Sequence, residues 1–295
     1  MQCGGGGLYG GGVDEHVSQL IELAITDDIG TGDLTSEYFV PKDKMARGFM
    51  KAKAEGVLAG VEIAAEVFQR IDPETEVEIL LGDGSHVAPG ALVMRLHGKA
   101  RSILTAERVA LNFAQHLSGV ATKTNQFVQA VHGTKAVILD TRKTTPGWRF
   151  LEKAAVVSGG GCNHRMGLYD RVMVKDNHLV TEGGLPAIAK AIDKLHKERP
   201  DVEVEVEADD LDQVEAFFAL PGVDYVLLDN MTNEELAQAV AMRPEGGPSL
   251  EASGGVNLMT VAGIAATGVD YISVGAVTHS APALDISLDF VPVEA

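Results

Sequence analysis

One pattern constrains the fold of this chain more than any other, and it begins after residue 134. Short apolar runs alternate with polar or charged residues and then with stretches of helical periodicity, such as Asp210–Leu220, Asn233–Met242 and Leu258–Ala266. Strand-helix alternation is typical of a parallel sheet covered by helices and closed, or nearly closed, into a barrel. About six strands are predicted, so a complete eight-stranded barrel is not required. These strands are Ala136–Leu139, Val172–Val174, Val202–Val206, Tyr225–Leu228, Leu250–Ala252 and Tyr271–Val274.

The preceding part of the chain has a different pattern and predicts a separate domain. Alternating apolar stretches between Ala46 and Ala100 are punctuated by glycine and proline turns and by one helical stretch, Val61–Ile71. A longer helix is predicted over Ser102–Ser118. We expect a small α+β domain here. The predicted organisation is a disordered glycine-rich tail at 1–12, the α+β domain at 13–133, the β/α barrel at 134–279 and a segment at 280–295 that returns to the first domain.

Composition and charge exclude several classes of protein. The chain is 45% hydrophobic and 22% charged, as in ordinary globular proteins, and this excludes disordered and membrane classes. A formal net charge of -18 argues against a nucleic-acid surface, since phosphate backbones bind basic faces. The two cysteines, Cys3 and Cys162, are too few for a disulfide framework, and no secretory leader pattern follows Met1. The expected compartment is therefore the reducing cytoplasm.

Charged, small or phosphate-friendly residues follow nearly every predicted barrel strand. In β/α barrels the active site lies at the carboxyl ends of the strands. A single residue of this kind is more often a solvated loop residue, but the recurrence at strand after strand favours a site for an anionic, phosphorylated substrate. The strand ends carry Asp140-Thr141-Arg142-Lys143, Lys175-Asp176-Asn177-His178, Glu207, Asp229-Asn230, Ser253-Gly254-Gly255 and Gly275.

Two segments supply most of the cationic candidates. In DTRKTTPG, Arg142 can clamp a carboxylate with two hydrogen bonds and Lys143 can add a point charge, although a structural salt bridge to barrel acids is the alternative. The glycine triplet Gly159–Gly161 precedes His164 and Arg165, so a loop rich in main-chain donors leads into two donor side chains. Zinc binding by Cys162 and His164 is disfavoured because no second ligand pair stands at a usable spacing.

The predicted strand that ends at Glu207 carries an unusual row of acids. Strand periodicity places Glu203, Glu205 and Glu207 on one face, and if the valines pack on the helices the acids point into the barrel. Buried carboxylates need partners, so we expect Lys143, Lys175 or an arginine to meet them. An edge strand with a solvated acidic face is the alternative. Glu207 and Asp229, at adjacent strand ends, are the best candidate ligands for a divalent cation.

These residues resemble those of a known family. DTRKTTPG, GGGCNHRMGLYD, VKDNH, LLDN and EASGG, in this order, are similar to the motifs of quinolinate phosphoribosyltransferases. The resemblance runs from DDIGTGDLTS near Asp28 to ALDISLDF near the C-terminus. It implies the type II phosphoribosyltransferase fold, which is an N-terminal sandwich followed by an incomplete α/β barrel. It also implies the conversion of quinolinate and phosphoribosyl pyrophosphate to nicotinate mononucleotide, pyrophosphate and CO2 in NAD biosynthesis.

The resemblance also implies roles for individual residues. The carboxylates of quinolinate and the phosphates of the second substrate would be bound by Arg142, Lys143, His164, Arg165 and Lys175. The ribose and Mg²⁺ would be served by Glu207 and Asp229, which with Lys143 and Lys175 form the candidate catalytic set. The 5′-phosphate region would be bound by Ser253, Gly254, Gly275 and His279. Arg108, in TAERVALNF, would complete the site of a neighbouring subunit, which implies a homodimer with shared active sites.

Two other functions are compatible with a barrel of this kind. One is a paralogous phosphoribosyltransferase-like protein linked to molybdate transport. The other is a catalytically idle barrel that binds phosphorylated metabolites or serves as an assembly subunit. The presence together of Arg142, Lys143, His164 and Arg165 favours quinolinate.

Overall fold

The computed structural model describes residues 15–175 and 184–293, which divide into two compact units. The predicted glycine-rich tail and the strand-end residues 176–178 lie outside the described residues. Among those described, no helix is both long and apolar enough to cross a bilayer. Of the described chain, the first unit comprises residues 15–125, 144–160 and 277–293, and the second comprises 126–143, 161–175 and 184–276.

The first unit is built on an antiparallel sheet. Its four strands lie in the order β12-β1-β5-β3, and β2 pairs with β4 in a small separate ladder. The segment from Val277 onward belongs to this unit, since β12 pairs with β1 along its length. The elements are α1 (Glu15–Ile29), α2 (Leu34–Phe39), β1 (Met45–Ala52), β2 (Gly56–Val57), α3 (Val61–Ile71), β3 (Glu76–Ile79), β4 (His86–Val87), β5 (Leu92–Lys99), most of α4 (Ala100–Ala130), α5 (Arg149–Ser158) and β12 (Ile286–Pro292).

The helix α4 is longer than its sequence pattern predicts. It was expected over Ser102–Ser118 but runs for 31 residues. Its extension contains small and polar residues that contact neighbouring backbone: Ser118 Oγ accepts the N–H of Ala59, and Thr122 Oγ1 accepts the N–H of Val57. At Gly119 a Cβ atom would lie 2.1 Å from the carbonyl oxygen of Pro282. These residues therefore allow close packing of backbone on the helix.

The N-terminus of α3 is capped from a distant turn. The main-chain N–H groups of Gly60 and Val61 both donate to the carboxylate of Asp83, at 2.9 Å each. Gly60 has a φ of 77° and no capping side chain of its own. Because the first N–H groups of a helix have no partner within it, a carboxylate at this point satisfies two of them and also interacts favourably with the helix dipole.

The second unit is a single parallel sheet with helices between its strands. The strand order is β6-β11-β10-β9-β8-β7, and every pairing between neighbours is parallel. Within the described residues β6 and β7 are the two edges, so the barrel is incomplete. The elements are β6 (Val137–Leu139), β7 (Val172–Val174), α6 (Gly184–Glu198), β8 (Val204–Ala208), α7 (Leu211–Phe218), β9 (Tyr225–Asp229), α8 (Asn233–Met242), β10 (Ser249–Ser253), α9 (Val261–Ala266), β11 (Tyr271–Ser273) and α10 (Ala276–His279), whose last three residues belong to the first unit.

The predicted fold class, a two-domain α/β protein with about six parallel barrel strands, is confirmed. Three segments fall in a different unit from the one that the predicted boundaries give. Residues 126–133 belong to the second unit instead of the first domain, and residues 277–279 belong to the first unit instead of the barrel. The third segment is longer. Residues 144–160, which contain α5, belong to the first unit, whereas the expected boundaries place them in the barrel. The chain thus leaves the barrel directly after Lys143 and returns to it at Gly161.

The cap on α3 predicts a measurable loss of stability. Asp83→Ala removes both hydrogen bonds, so the free energy of unfolding should fall by about 1 kcal/mol, as for other lost N-caps. Urea denaturation followed by circular dichroism measures this change. Asp43→Ala, on an exposed turn of the same unit, is the matched control and should change the midpoint little. Equal midpoints for the two variants would contradict the capping role.

Candidate active site

A cavity of about 450 Å³ lies at the carboxyl ends of the barrel strands. Its walls come from all six strands or from the residues that follow them. Of the sequence-predicted residues, it brings together Arg142, Lys143, His164, Arg165, Lys175, Glu207, Asp229, Ser253 and Gly254. The remaining lining residues are Thr141, Met173, Leu227, Asn230, Glu251, Gly255 and Ser273.

The end of β6 is locked by a buried carboxylate. Asp140 is fully buried, its N–H donates to the carbonyl of Cys162, and its Oδ1 accepts the N–H of His164 at 2.8 Å. These contacts hold two stretches of backbone side by side, namely the turn that carries Arg142 and the segment that carries Arg165. Burial, followed by the charge of Arg142, lowers the pKa of Arg165. The two guanidinium groups are therefore close enough to repel each other.

The acidic row on β8 faces the barrel lumen and meets cations, as predicted. Lys175 Nζ contacts Glu207 Oε2. Arg171 Nη2 lies 2.6 Å from Glu203 Oε2, and Arg171 Nη1 lies 3.7 Å from Glu205 Oε2. Glu205 is fully buried, and the alternative of a solvated acidic edge is therefore wrong. The predicted pairing with Lys175 or an arginine is confirmed.

Below the cavity, His164 lies between two buried carboxylates. Its Nε2 is 3.1 Å from Glu205 Oε2 and 3.4 Å from Glu251 Oε1. Glu251 Oε1 also accepts a short hydrogen bond from Ser273 Oγ. Burial raises the pKa of Glu205 to about 7, and the charge of Glu251 acts in the same direction. Burial also acts to raise the pKa of Glu251, but hydrogen bonding from His164 and from Ser273 outweighs it and lowers the pKa.

Two sets of contacts have opposite effects on the protonation of the His164 ring. Burial acts to lower the pKa of the ring, but the hydrogen bonds and charges of Glu205 and Glu251 outweigh it and raise the pKa to about 9. The N–H of Arg165, however, donates to Nδ1 at 2.7 Å, which needs an unprotonated Nδ1. Protonation of Nδ1 would place two donors face to face, so this main-chain hydrogen bond keeps Nδ1 unprotonated. His164 therefore holds its proton on Nε2, toward the carboxylates.

The turns that follow β9 and β10 pack closely against each other. Asn230 has a φ of 55°, its N–H donates to the carbonyl of Ser253, and its Nδ2 donates to Asp229 Oδ2 at 2.7 Å. Gly254 has a φ of 96°, and a Cβ there would lie 2.1 Å from Asn230 Oδ1 and 2.9 Å from Asn230 N. The turn after β10 consequently requires glycine, and its backbone is open to a ligand in the cavity.

Three predicted residues do not line the cavity in the described structure. Gly275 lies two residues after the end of β11 and directly before α10, whose last residue is His279. The Nδ1 of His279 contacts Ser280 Oγ at 2.6 Å. Arg108 is exposed on α4 and belongs to the other unit.

Several site residues were missed from the sequence. Glu251 and Ser273 lie within β10 and β11, and Arg171 lies just before β7. A prediction that considers only the residues after each strand does not include them. The signal that could have found Glu251 is its position in an otherwise apolar strand, since an acid there needs a buried partner.

Two groups of side chains could be considered for a metal ion. His164, Glu205 and Glu251 have ligand atoms within 4.8 Å of one another. Their chemistry does not suit a metal, because Nε2 carries the proton and Arg171 already supplies a positive charge beside Glu205. Glu207 and Asp229 line the cavity and offer carboxylate oxygens, which suit Mg²⁺ shared with substrate phosphates, although Glu207 is engaged by Lys175.

Comparison with known proteins agrees with this geometry. Residues 33–118 match the family model of the quinolinate phosphoribosyl transferase N-terminal domain, and residues 120–289 match that of its C-terminal domain. A chloroplastic nicotinate-nucleotide pyrophosphorylase [carboxylating] of Oryza sativa subsp. japonica is 41% identical over 284 residues, covering 91% of this chain and 76% of that protein. A probable enzyme of the same name from Bacillus subtilis is 38% identical, covering 93% of each chain.

Solved structures show the same similarity. The nicotinate-nucleotide pyrophosphorylase of Francisella tularensis superposes with a TM-score of 0.87 at 40% identity, covering 94% of this chain and 96% of that one. Two domain models together span most of the chain, and the match covers 76% of the Oryza protein and 93% of the Bacillus protein. The chain therefore belongs to the quinolinate phosphoribosyltransferase family.

Proposed function

We propose that this chain is a pentosyltransferase that converts quinolinate and phosphoribosyl pyrophosphate to nicotinate mononucleotide, pyrophosphate and CO2 in the de novo synthesis of NAD. One observation carries the proposal. In a protein with a net charge of -18, Arg142, Lys143, Arg165 and Lys175 line a single cavity together with Glu207 and Asp229. Such a concentration of cations suits a dicarboxylate and a polyphosphate in one site.

The cations account for recognition of the dicarboxylate. Arg142 and Arg165 can each bind a carboxylate with two parallel hydrogen bonds, whereas Lys143 and Lys175 act as point charges. Both ring nitrogens of His164 face protein groups in this structure, so its contribution comes through the position of the ring. The repulsion between the two guanidinium groups is relieved when an anion binds between them.

The turns at the ends of β9 and β10 suit the ribose phosphate. Ser253 offers a hydroxyl, and the backbone at Gly254 and Gly255 offers N–H groups without a side chain in the way. Main-chain donors in such turns bind phosphate oxygens well. Asp229, on the adjacent strand, is placed to accept hydrogen bonds from ribose hydroxyls.

The chemistry follows from charge. Departure of pyrophosphate leaves positive charge on the ribose, which Glu207 or Asp229 stabilises, while the cations hold the leaving group. The pyridine nitrogen then bonds to C1′ with inversion. Once that nitrogen is quaternary, the C2–carboxylate bond can break, because the electron pair left on C2 is stabilised next to the positive nitrogen. A proton then adds at C2, and an organic cofactor is not required.

We propose Mg²⁺ as the metal cofactor, with Glu207 and Asp229 as its protein ligands. When bound, Mg²⁺ would neutralise charge on the pyrophosphate group. The oxygen donors fit this ion, as Mg²⁺ usually binds one or two carboxylates together with substrate phosphates. The lysine that contacts Glu207 would then turn toward substrate oxygens.

We further propose a cytoplasmic homodimer with shared active sites. The support for shared sites is the exposure of Arg108, together with its absence from the described lining of the cavity. The charge of the chain and its lack of a spanning helix among the described residues provide no support for nucleic-acid or membrane partners. The paralogue linked to molybdate transport and an idle barrel are the competing functions.

The direct test is turnover. The purified protein, given Mg²⁺ and both substrates, should form nicotinate mononucleotide and release CO2, whereas the competing functions predict no product from quinolinate. Nicotinate should be a very poor substrate, because its missing carboxylate leaves desolvated cations without a partner. Sites of this kind reject such analogues by roughly 10⁴-fold or more. Turnover of nicotinate within a fewfold of quinolinate would contradict the charge-matching account.

The turn after β10 gives a second test, with a matched pair of glycines. Gly254→Ala forces Asn230 to move. Small displacements in an active site can cost up to about 100-fold in rate. The KM for phosphoribosyl pyrophosphate should therefore rise at least tenfold. Gly255 also has a positive φ, but nothing lies within 4 Å of a Cβ there. Gly255→Ala should therefore cost about 1 kcal/mol of stability and little affinity. Steady-state kinetics and thermal unfolding separate these effects, and equal KM values would refute the role of Gly254.

Shared sites predict complementation. Arg108→Ala and Lys143→Ala should each be nearly inactive, and mixing them under subunit exchange should restore about one quarter of the wild-type activity, since half of the dimers carry one intact site. Mixing each variant with itself is the control. If exchange is demonstrated by mass spectrometry and activity does not return, Arg108 does not complete the partner's site.

A further inference from the structure

Arg171 is a buried cation that the proposed chemistry does not use directly. Its side chain is 4% exposed and does not line the main cavity. One edge of its guanidinium pairs with Glu203 Oε2 at 2.6 Å, and the other lies 3.7 Å from Glu205 Oε2. The same group stacks over Tyr225 at 4.2 Å from the ring centre, and the Tyr225 hydroxyl donates to Glu203. These contacts fix the guanidinium in one orientation.

Arg171 is the first member of a buried row of charged and polar side chains. Glu205 lies between Arg171 and His164, and His164 lies between Glu205 and Glu251. Both oxygens of Glu205 and the Nη1 of Arg171 are buried without a hydrogen bond of good geometry. The contact between Arg171 and Glu205 is therefore electrostatic. Its stability depends on the sum of the charges carried by this group of buried side chains.

Arg171 is also linked to the cavity by its backbone. Its carbonyl accepts a hydrogen bond from Arg165 Nη1 at 3.1 Å, and the N–H of Arg165 donates to the ring of His164. A second cavity of about 310 Å³ shares His164 and Arg165 with the main one and is lined by Arg171 and Glu203. Loss of the Arg171 side chain would therefore give both residues room to move away from the substrate.

We propose that Arg171 is a positioning residue for the dicarboxylate substrate, acting through Glu205, His164 and Arg165. This inference rests on the proposed function, because it concerns how quinolinate is held. The Arg171 side chain compensates the charge of Glu205, which holds the ring of His164. That ring in turn accepts the N–H of Arg165 and keeps its guanidinium toward the cavity.

A purely structural role makes a different prediction. An ion pair that only stabilises the fold would, when lost, lower the melting temperature and the folded fraction while leaving the remaining molecules with normal affinity. A positioning role weakens quinolinate binding in molecules that are folded. It should also leave phosphoribosyl pyrophosphate binding nearly unchanged, since within the described part of the chain the turns after β9 and β10 make no hydrogen bond or ion pair with Arg171.

The experiment compares Arg171→Met, the double variant Arg171→Met/Glu205→Gln and the control Arg243→Met. Arg243 pairs with Asp270 in the same unit and does not line the cavity, so its loss reports the cost of an ordinary ion pair. For each protein we measure the affinity for quinolinate and for phthalate by isothermal titration. We also measure the KM values for both substrates and the melting temperature.

Arg171→Met should weaken the binding of quinolinate and of phthalate at least tenfold, which corresponds to about 1.4 kcal/mol of binding free energy. It should change the KM for phosphoribosyl pyrophosphate less than about twofold. The double variant restores charge balance and should recover part of this loss even if the single variant fails to fold. Normal quinolinate affinity in Arg171→Met, or a double variant no better than a folded single one, would overturn the proposal. A wild-type protein that does not bind quinolinate would instead contradict the proposed function.

Discussion

The structure of the barrel unit depends on how buried carboxylates in its lumen are compensated. Glu205 and Glu251 are fully buried on β8 and β10, which flank β9 in one parallel sheet. Removing an ionised carboxylate from water costs several kcal/mol unless partners replace the lost hydration. Here the partners are Arg171, His164 and the hydroxyl of Ser273. The need to satisfy these acids therefore determines where the segment from His164 to Arg171 lies, and with it the position of Arg165.

Much of this arrangement can be predicted from the sequence, because strand geometry is regular. Alternation of valine and glutamate on β8 places Glu203, Glu205 and Glu207 on one face, and burial of that face demands cations. The rule that parallel strands present their carboxyl ends at one edge then groups Arg142, Lys175 and the other strand-end residues. These predictions need only local periodicity and the existence of the sheet.

The rest could not be predicted because it depends on contacts between distant segments. Glu251 aligns with Leu227 and Tyr271 through strand register, which the sequence of β10 does not specify. The extension of α4 beyond Ser118 is stabilised by backbone groups of Val57 and Ala59 that pack against it, which single-helix periodicity cannot show. Likewise, residues 144–160 follow a barrel strand in sequence, and their place in the other unit follows from packing alone.

The same electrostatics connect stability to selectivity. The cations around the cavity repel one another, and the pKa of Arg165 is lowered by burial and then by the charge of Arg142. The acids Glu203 and Glu205 beneath them are already paired with Arg171, so they cannot fully neutralise the cations at the cavity. A dianion supplies the missing negative charge and relieves the repulsion, whereas a monoanion leaves part of it in place. We therefore expect selectivity for a dicarboxylate to come from the excess of positive charge at the cavity, which remains because the buried acids are already compensated.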